Sequence, residues 1–301
     1  MHSSSPLQAS TQRPGAKGWQ RHARAHLALA RVSNTPTVVS NVLAGTALAT
    51  TLAFDGVIVL LTLAMVLFYT AGMYLNDIFD RDIDRQHRPD RPLPSGAVSV
   101  PVAAGVTVAL FALGLGLLAF TSREAFISGV VVVLVIIVYD AWHKANPIGP
   151  FVMATTRSLV YITAFLVYSA NVSADLVVWS SLMLLYVAGL TSIAKTETGP
   201  AGVKYWPFVA ILVPAAYAMA SISTIGGTVA ILAFLGWVVY AASFAYVSAR
   251  RSIGGAITRL IAGISLLDAM VLATQGAWWG MVIAMLAFAA TLFFQRYIRG
   301  T

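Results

Sequence analysis

The chain has 301 residues, 58% of them hydrophobic and 10% charged, with no cysteine and a formal net charge of +8. A soluble domain carries about 25% charged residues, so this composition excludes an ordinary soluble fold. The missing thiols exclude disulfides, thiol catalysis and thiolate metal sites.

In chain order, residues 1–30 are basic, without a single acid. They read as a disordered cytoplasmic tail that meets anionic lipid. Ten apolar blocks follow, at roughly 36–54, 56–77, 100–121, 125–142, 150–170, 176–194, 204–222, 227–247, 258–274 and 277–295. Each approaches the roughly 20 residues that a membrane-spanning helix needs, and none shows the period-2 alternation of a half-buried strand. The expected fold is therefore all-α: a polytopic bundle of nine or ten transmembrane helices around a central cavity, occupying residues 31–301. The block at 258–274 decides the number, because it reads either as a crossing or as a re-entrant or surface segment.

The positive charge is distributed along the membrane ends and does not form a nucleic-acid patch. Arg13 to Arg31, Arg81 to Arg91, Lys144, Lys195, Lys204, Arg250, Arg251, Arg259, Arg296 and Arg299 fall on one side, and Arg123 on the other. This bias places both termini in the cytoplasm. A bacterial inner membrane is the default expectation for the compartment.

Four of the eleven acidic residues, Asp77, Asp80, Asp82 and Asp84, lie within eight positions. On a helix, Asp77, Asp80 and Asp84 share one face, Asn76 borders it, and Asp82 points away. Carboxylates are expensive in lipid, so this face must open on water or on cations. Hard oxygen donors suit magnesium, which reaches proteins through one or two carboxylates together with substrate phosphates. The loop behind the cluster, Arg88-Pro-Asp-Arg91-Pro-Leu-Pro94-Ser-Gly96, ends the helix and supplies two arginines able to grip phosphate.

The spacing Asn76-Asp77-x-x-Asp80-x-x-x-Asp84, with this proline-rich basic loop behind it, resembles the first aspartate-rich motif of the UbiA superfamily of intramembrane prenyltransferases. The segment SNTPTVVSNVLAG in the first apolar block and the number of blocks are similar too, and within the superfamily the chain most resembles the EboC-like branch. The resemblance implies magnesium-dependent prenyl transfer from a polyprenyl diphosphate to a lipid-soluble acceptor within the membrane. Carried onto this chain, it implies that Asp77, Asp80 and Asp84 hold magnesium with help from Asn76. Arg88, Arg91 and Lys144 would then meet phosphate, and Asn41, Tyr139 and Arg157 would bind substrate. Arg157 reads equally as a structural partner of Asp140 or Asp268, and Asn41 as an interhelical hydrogen-bonding residue.

One departure stands out. The superfamily has a second acidic motif after its sixth span, and here Glu197 is the sole acid between Asp175 and Asp268. Lys195 and Glu197 are the candidate replacements. The same departure leaves open a non-catalytic protein of this fold that binds or moves an isoprenoid.

Overall fold

The computed structural model describes residues 16–51, 55–142, 146–196, 204–221, 224–247, 249 and 251–297, with side chains from residue 22 onward. Among these residues there is no strand. The helices are α1 (Ala16–Leu29), α2 (Thr35–Ala47), α3 (Gly56–His87), α4 (Val100–Leu118), α5 (Arg123–Trp142), α6 (Gly149–Tyr168), α7 (Ala174–Ala194), α8 (Trp206–Ser221), α9 (Ile225–Tyr246), α10 (Ile253–Thr274) and α11 (Trp278–Gln295). A 3-10 turn at Val32–Asn34 joins α1 to α2.

Each of the ten apolar blocks contains a helix among the described residues. Eight of them, α3 to α7 and α9 to α11, are long and apolar enough to cross a membrane, while α2 and α8 are shorter. Residues 258–274 form neither a re-entrant nor a surface segment. They belong to one continuous 22-residue helix, α10, whose most apolar stretch is 78% buried inside the protein. It packs against α2, α7, α8, α9 and α11. A helix that is apolar all round belongs in the middle of a bundle, and α10 occupies that place.

α2 lies against α3, α6, α10 and α11. Its approach to α6 depends on Gly45, where an added Cβ would stand 2.7 Å from the Tyr161 carbonyl oxygen. Small residues at such crossings let backbones come close where no aqueous hydrophobic effect drives helices together. This contact sets Asn41, one turn earlier on α2, beside α6.

α3 starts at Asp55, whose Oδ1 accepts from the Ile58 amide at 2.8 Å, an N-cap that satisfies one orphan donor. The helix runs for 32 residues, about 48 Å at 1.5 Å per residue, well beyond a hydrocarbon core of about 30 Å. Its last three turns carry the aspartates. It stops at Arg88, at φ −143°, because the residue before Pro89 is disfavoured in the helical region.

Residues 16–29 depart from the expected disordered tail by forming α1; residues 1–15 lie outside the described part. Ala25 and Leu29 are buried, with Ala30, against Tyr74 of α3, Leu93 and Val98 of the loop after α3, and Ala103 of α4. A hydrogen bond of 2.7 Å joins His26 Nδ1 to the Tyr74 hydroxyl. Two apolar residues at i, i+4 make a narrow stripe, and the polar residues around it conceal that stripe in any average over the segment.

Candidate active site

The last turns of α3 sort their acids as helical spacing requires. The side chains of Asp77 and Asp84 are buried and Asp80 is half-buried, whereas that of Asp82 is 86% exposed beside Arg85 at 3.7 Å. The inward carboxylates are met by two guanidinium groups. Arg31 Nη2 lies 3.1 Å from Asp77 Oδ1, while Arg91 Nη1 lies 2.7 Å from Asp84 Oδ2 and 3.7 Å from Asp77 Oδ1. Arg31 Nη2 also donates to Asn76 Oδ1 at 3.3 Å, and Asn76 Nδ2 donates to Asp140 Oδ1 on α5 at 3.1 Å. One polar chain thus runs from Asp84 through Arg91, Asp77, Arg31 and Asn76 to Asp140.

Arg31 occupies the joint between α1 and the 3-10 turn at φ 43°, the sole non-glycine residue with positive φ among those described. Such a conformation costs about 1–3 kcal/mol and persists where the surroundings impose it. Here the Arg31 carbonyl accepts from the Asn34 amide at 3.0 Å and from the Tyr69 hydroxyl at 3.2 Å. Burial works to lower the pKa of the guanidinium, but the charge and hydrogen bond of Asp77, with smaller help from Tyr69 and Asp80, outweigh it and leave the group above its ordinary value.

A cavity lies between α2, α3, α5 and α6, and Arg31, Asn76, Tyr139 and Asp140 line one end of it. Tyr69, Thr156 and Arg157 stand further in, among Val38, Met65, Phe68, Val132, Ile136 and Val160. Tyr69 precedes Asn76 by seven residues on α3, about 10 Å along the helix. The cavity therefore passes from a charged mouth to a mainly apolar interior that also holds Arg157, a gradient that suits a diphosphate with a hydrocarbon tail.

Behind the inner wall is a second polar group. Asp268 of α10, fully buried, accepts from Asn41 Nδ2 at 2.8 Å, from Ser40 Oγ at 2.5 Å and from the Tyr161 hydroxyl at 2.5 Å. The Asn41 Oδ1 accepts from Arg157 Nη1 at 2.8 Å. Asn41 is fully buried and is not among the cavity-lining residues; its amide is engaged by Asp268 and Arg157. Of the two partners considered for Arg157, Asp268 is reached through Asn41, and Asp140 is bonded to Asn76 instead.

Asn76 and Tyr139 line the mouth, Asp77, Arg91 and Asp84 join it through the ion pairs that lead to Arg31, and Asp80 is half-buried on the same face of α3. Arg88 does not join them; it is exposed at the end of α3. Lys195 ends α7, where its Nζ donates to the Asn146 carbonyl at 2.5 Å and burial lowers its pKa. Lys144 and Glu197 lie outside the described residues. Arg31, Tyr69 and Asp140 are the mouth and wall residues that sequence reasoning did not assign to the site. Arg31 read as one more interfacial cation, and Asp140 as a possible partner for Arg157.

The oxygen donors of Asn76, Asp77 and Asp80 suit magnesium in kind, since that ion keeps several waters and needs few carboxylates. A cage of three carboxylates is not assembled. Among the described residues no three acidic or histidine side chains converge as a metal site, and Asp84 is engaged by Arg91.

Comparison with known proteins fits this geometry. Residues 38–197 match the model of the UbiA prenyltransferase family. The chain is 30% identical over 145 residues to the digeranylgeranylglyceryl phosphate synthase of Sulfolobus acidocaldarius, covering 45% of this chain and 50% of that protein. It is 44% identical over 90 residues to the enzyme of the same name from Methanoregula boonei, covering 30% and 32%. The chain thus spans half or less of the length of these curated relatives. In fold it is similar to a UbiA homolog from Aeropyrum pernix, with a TM-score of 0.59, 21% identity and coverage of 83% of this chain and 98% of that one. It is also similar to a UbiA homolog from Archaeoglobus fulgidus bound to DMAPP and Mg2+, with a TM-score of 0.51, 18% identity and coverage of 90% and 85%. The family match covers more than half of the chain, so this integral, multi-pass membrane protein belongs to the UbiA prenyltransferase family.

Proposed function

We propose that the protein transfers a prenyl group from a prenyl diphosphate to a lipid-soluble acceptor inside the membrane, with magnesium at the mouth of the cavity. The observation that carries this reading is the continuity of the Asp77 and Arg31 mouth with an apolar cavity between α2, α3, α5 and α6. Asp77 and Asp80, with Asn76, would hold magnesium, which when bound supplies positive charge to a departing diphosphate. Arg31 and Arg91 add donors shaped for phosphate oxygens, once they exchange their carboxylate partners for the ligand. The bond from the allylic carbon to the diphosphate oxygen breaks, and its electron pair leaves with the diphosphate. The acceptor nucleophile donates a pair to that carbon and gives up its proton. Val132, Ile136 and Phe68 keep water from the reacting carbon, which suppresses hydrolysis.

The synthases named above and the structure that binds DMAPP with Mg2+ support this chemistry by likeness. The basic residues favour a cytoplasmic mouth and N-terminus. These relatives are archaeal, so the bacterial membrane expected by default gains nothing from them. A non-catalytic isoprenoid binder is the second reading, favoured by the absence of a second acid-rich segment between Asp175 and Asp268.

The test is magnesium-dependent consumption of geranylgeranyl and farnesyl diphosphate by purified protein with a mixed pool of lipid acceptors. A prenylated product found by mass spectrometry, and lost in Asp77→Asn, is expected. Donor that binds without being consumed would support the binder.

A further inference from the structure

The far end of the cavity is closed by four apolar side chains: Met65 and Phe68 of α3, Val132 of α5 and Val160 of α6. Met65 stands 11 residues before Asn76 on α3, about 16 Å along the helix. Among the described residues, none of α4 lines the cavity. Phe68 lines it and also packs on α4, so its ring is the partition between the two.

That ring is seated on two missing side chains. A Cβ on Gly114 of α4 would stand 2.7 Å from Phe68 Cδ1, and one on Gly129 of α5 would stand 3.5 Å from Phe68 Cε2. The two glycines therefore meet opposite edges of the ring. Phe111, one turn before Gly114, packs against it with ring centres 6.2 Å apart. Phe68 is 1% exposed, and a stiff ring held on these sides has little room to move in a close-packed interior. Met65 is different, because an unbranched thioether adapts to its surroundings. Of the four closing side chains, Phe68 is the one able to set a sharp limit.

Arg157 does not block the way to this ring. Its guanidinium is engaged by Asn41 and by the face of Tyr69. The α3 and α5 side of the cavity, through Gly72, Ile136 and Val132 to Phe68, is apolar.

We propose that Phe68, seated on Gly114 and Gly129, is the specificity-determining residue that limits the length of the donor's hydrocarbon tail. Carbon atoms buried short of the ring strengthen binding. Atoms beyond it must force the ring against glycine backbone, and such overpacking weakens binding. The inference rests on the reading of the donor as a prenyl diphosphate bound at the mouth.

The experiment measures magnesium-dependent equilibrium binding of geranyl, farnesyl, geranylgeranyl, geranylfarnesyl and hexaprenyl diphosphate to the full chain in detergent. Each member is one isoprene unit longer than the last. Wild type should gain affinity along the series and then lose at least tenfold at the first tail too long for the cavity. Phe68→Ala should move that cutoff at least one unit longer, because the space up to Gly114 and Phe111 joins the cavity. Gly114→Ala should move it shorter, because the added methyl drives the ring inward. Opposite shifts cannot come from a general loss of stability. Circular dichroism and gel filtration identify a misfolded variant, and Phe68→Leu, with a shift in the same direction, then replaces Phe68→Ala. Affinity that rises through the whole series in wild type would overturn the proposal. So would a cutoff left in place by the Phe68 variant, or moved the same way by the Phe68 and Gly114 variants. Wild type that binds no member of the series with magnesium would instead defeat the donor reading, and this inference with it.

Discussion

Arg31 and Asp77 are paired at 3.1 Å although 46 residues separate them, and the pair ties the joint after α1 to the motif at the end of α3. The same guanidinium bonds Asn76. The joint after α1 and the carboxylates at the end of α3 are therefore one mechanical unit.

Replacing Arg31 leaves Asp77 buried with Arg91 alone, at 3.7 Å. Breaking a buried pair costs about 3–5 kcal/mol, and the partial exposure of Arg31 reduces this to about 1–3 kcal/mol for Arg31→Ala. Because residue 31 sits at φ 43°, Arg31→Gly should be less destabilising than Arg31→Ala by about 1 kcal/mol. Thermal unfolding in detergent checks the order, and equal losses would contradict the strain at this position.

Asp268 collects donors from α2 and α6 in the centre of the bundle. Asp268→Ala strands Ser40, Asn41 and Tyr161 and uncouples Arg157, so it should cost about 3 kcal/mol or more. Asp268→Asn keeps the shape but points an N–H at neighbours that also donate, and should cost somewhat less. Thermal melts of both variants beside wild type test this; a melting point unchanged in Asp268→Ala would refute a supporting role for the network.

Gly45 lets α2 meet α6, and any side chain there collides with backbone at Tyr161. Gly45→Val should separate the helices, reduce folded yield and weaken the bond between Asn41 and Arg157. Overpacking of this kind costs about 1–3 kcal/mol. Gly105, with open space around it, provides the contrast: Gly105→Ala should be neutral or slightly stabilising on the same melts.

How far the sequence reaches is visible in particular residues. Asp77 and Asp84 face inward and Asp82 outward because helical spacing is local, and Pro89 marks the end of α3 for an equally local reason. The ten apolar blocks are legible because lipid demands long runs of apolar residues. Arg31 was not legible as a site residue, since its charge resembles an interfacial anchor and its partner lies 46 positions away. The link from Asn41 to Asp268 spans 227 residues, and only the packing of α2 against α10 brings it together. α1 was concealed because its apolar stripe is narrow within a polar segment.

The central claim is that the inward face of α3 binds a prenyl diphosphate together with magnesium. Equilibrium binding of geranylgeranyl diphosphate to wild type, Asp77→Asn, Asp80→Asn and Asp82→Asn, each with magnesium and with chelator, tests it most directly. The account predicts magnesium-dependent binding in wild type and in the outward-facing Asp82→Asn, and a loss of at least tenfold in Asp77→Asn and Asp80→Asn. Equal binding in all four proteins, or binding indifferent to chelator, would contradict it.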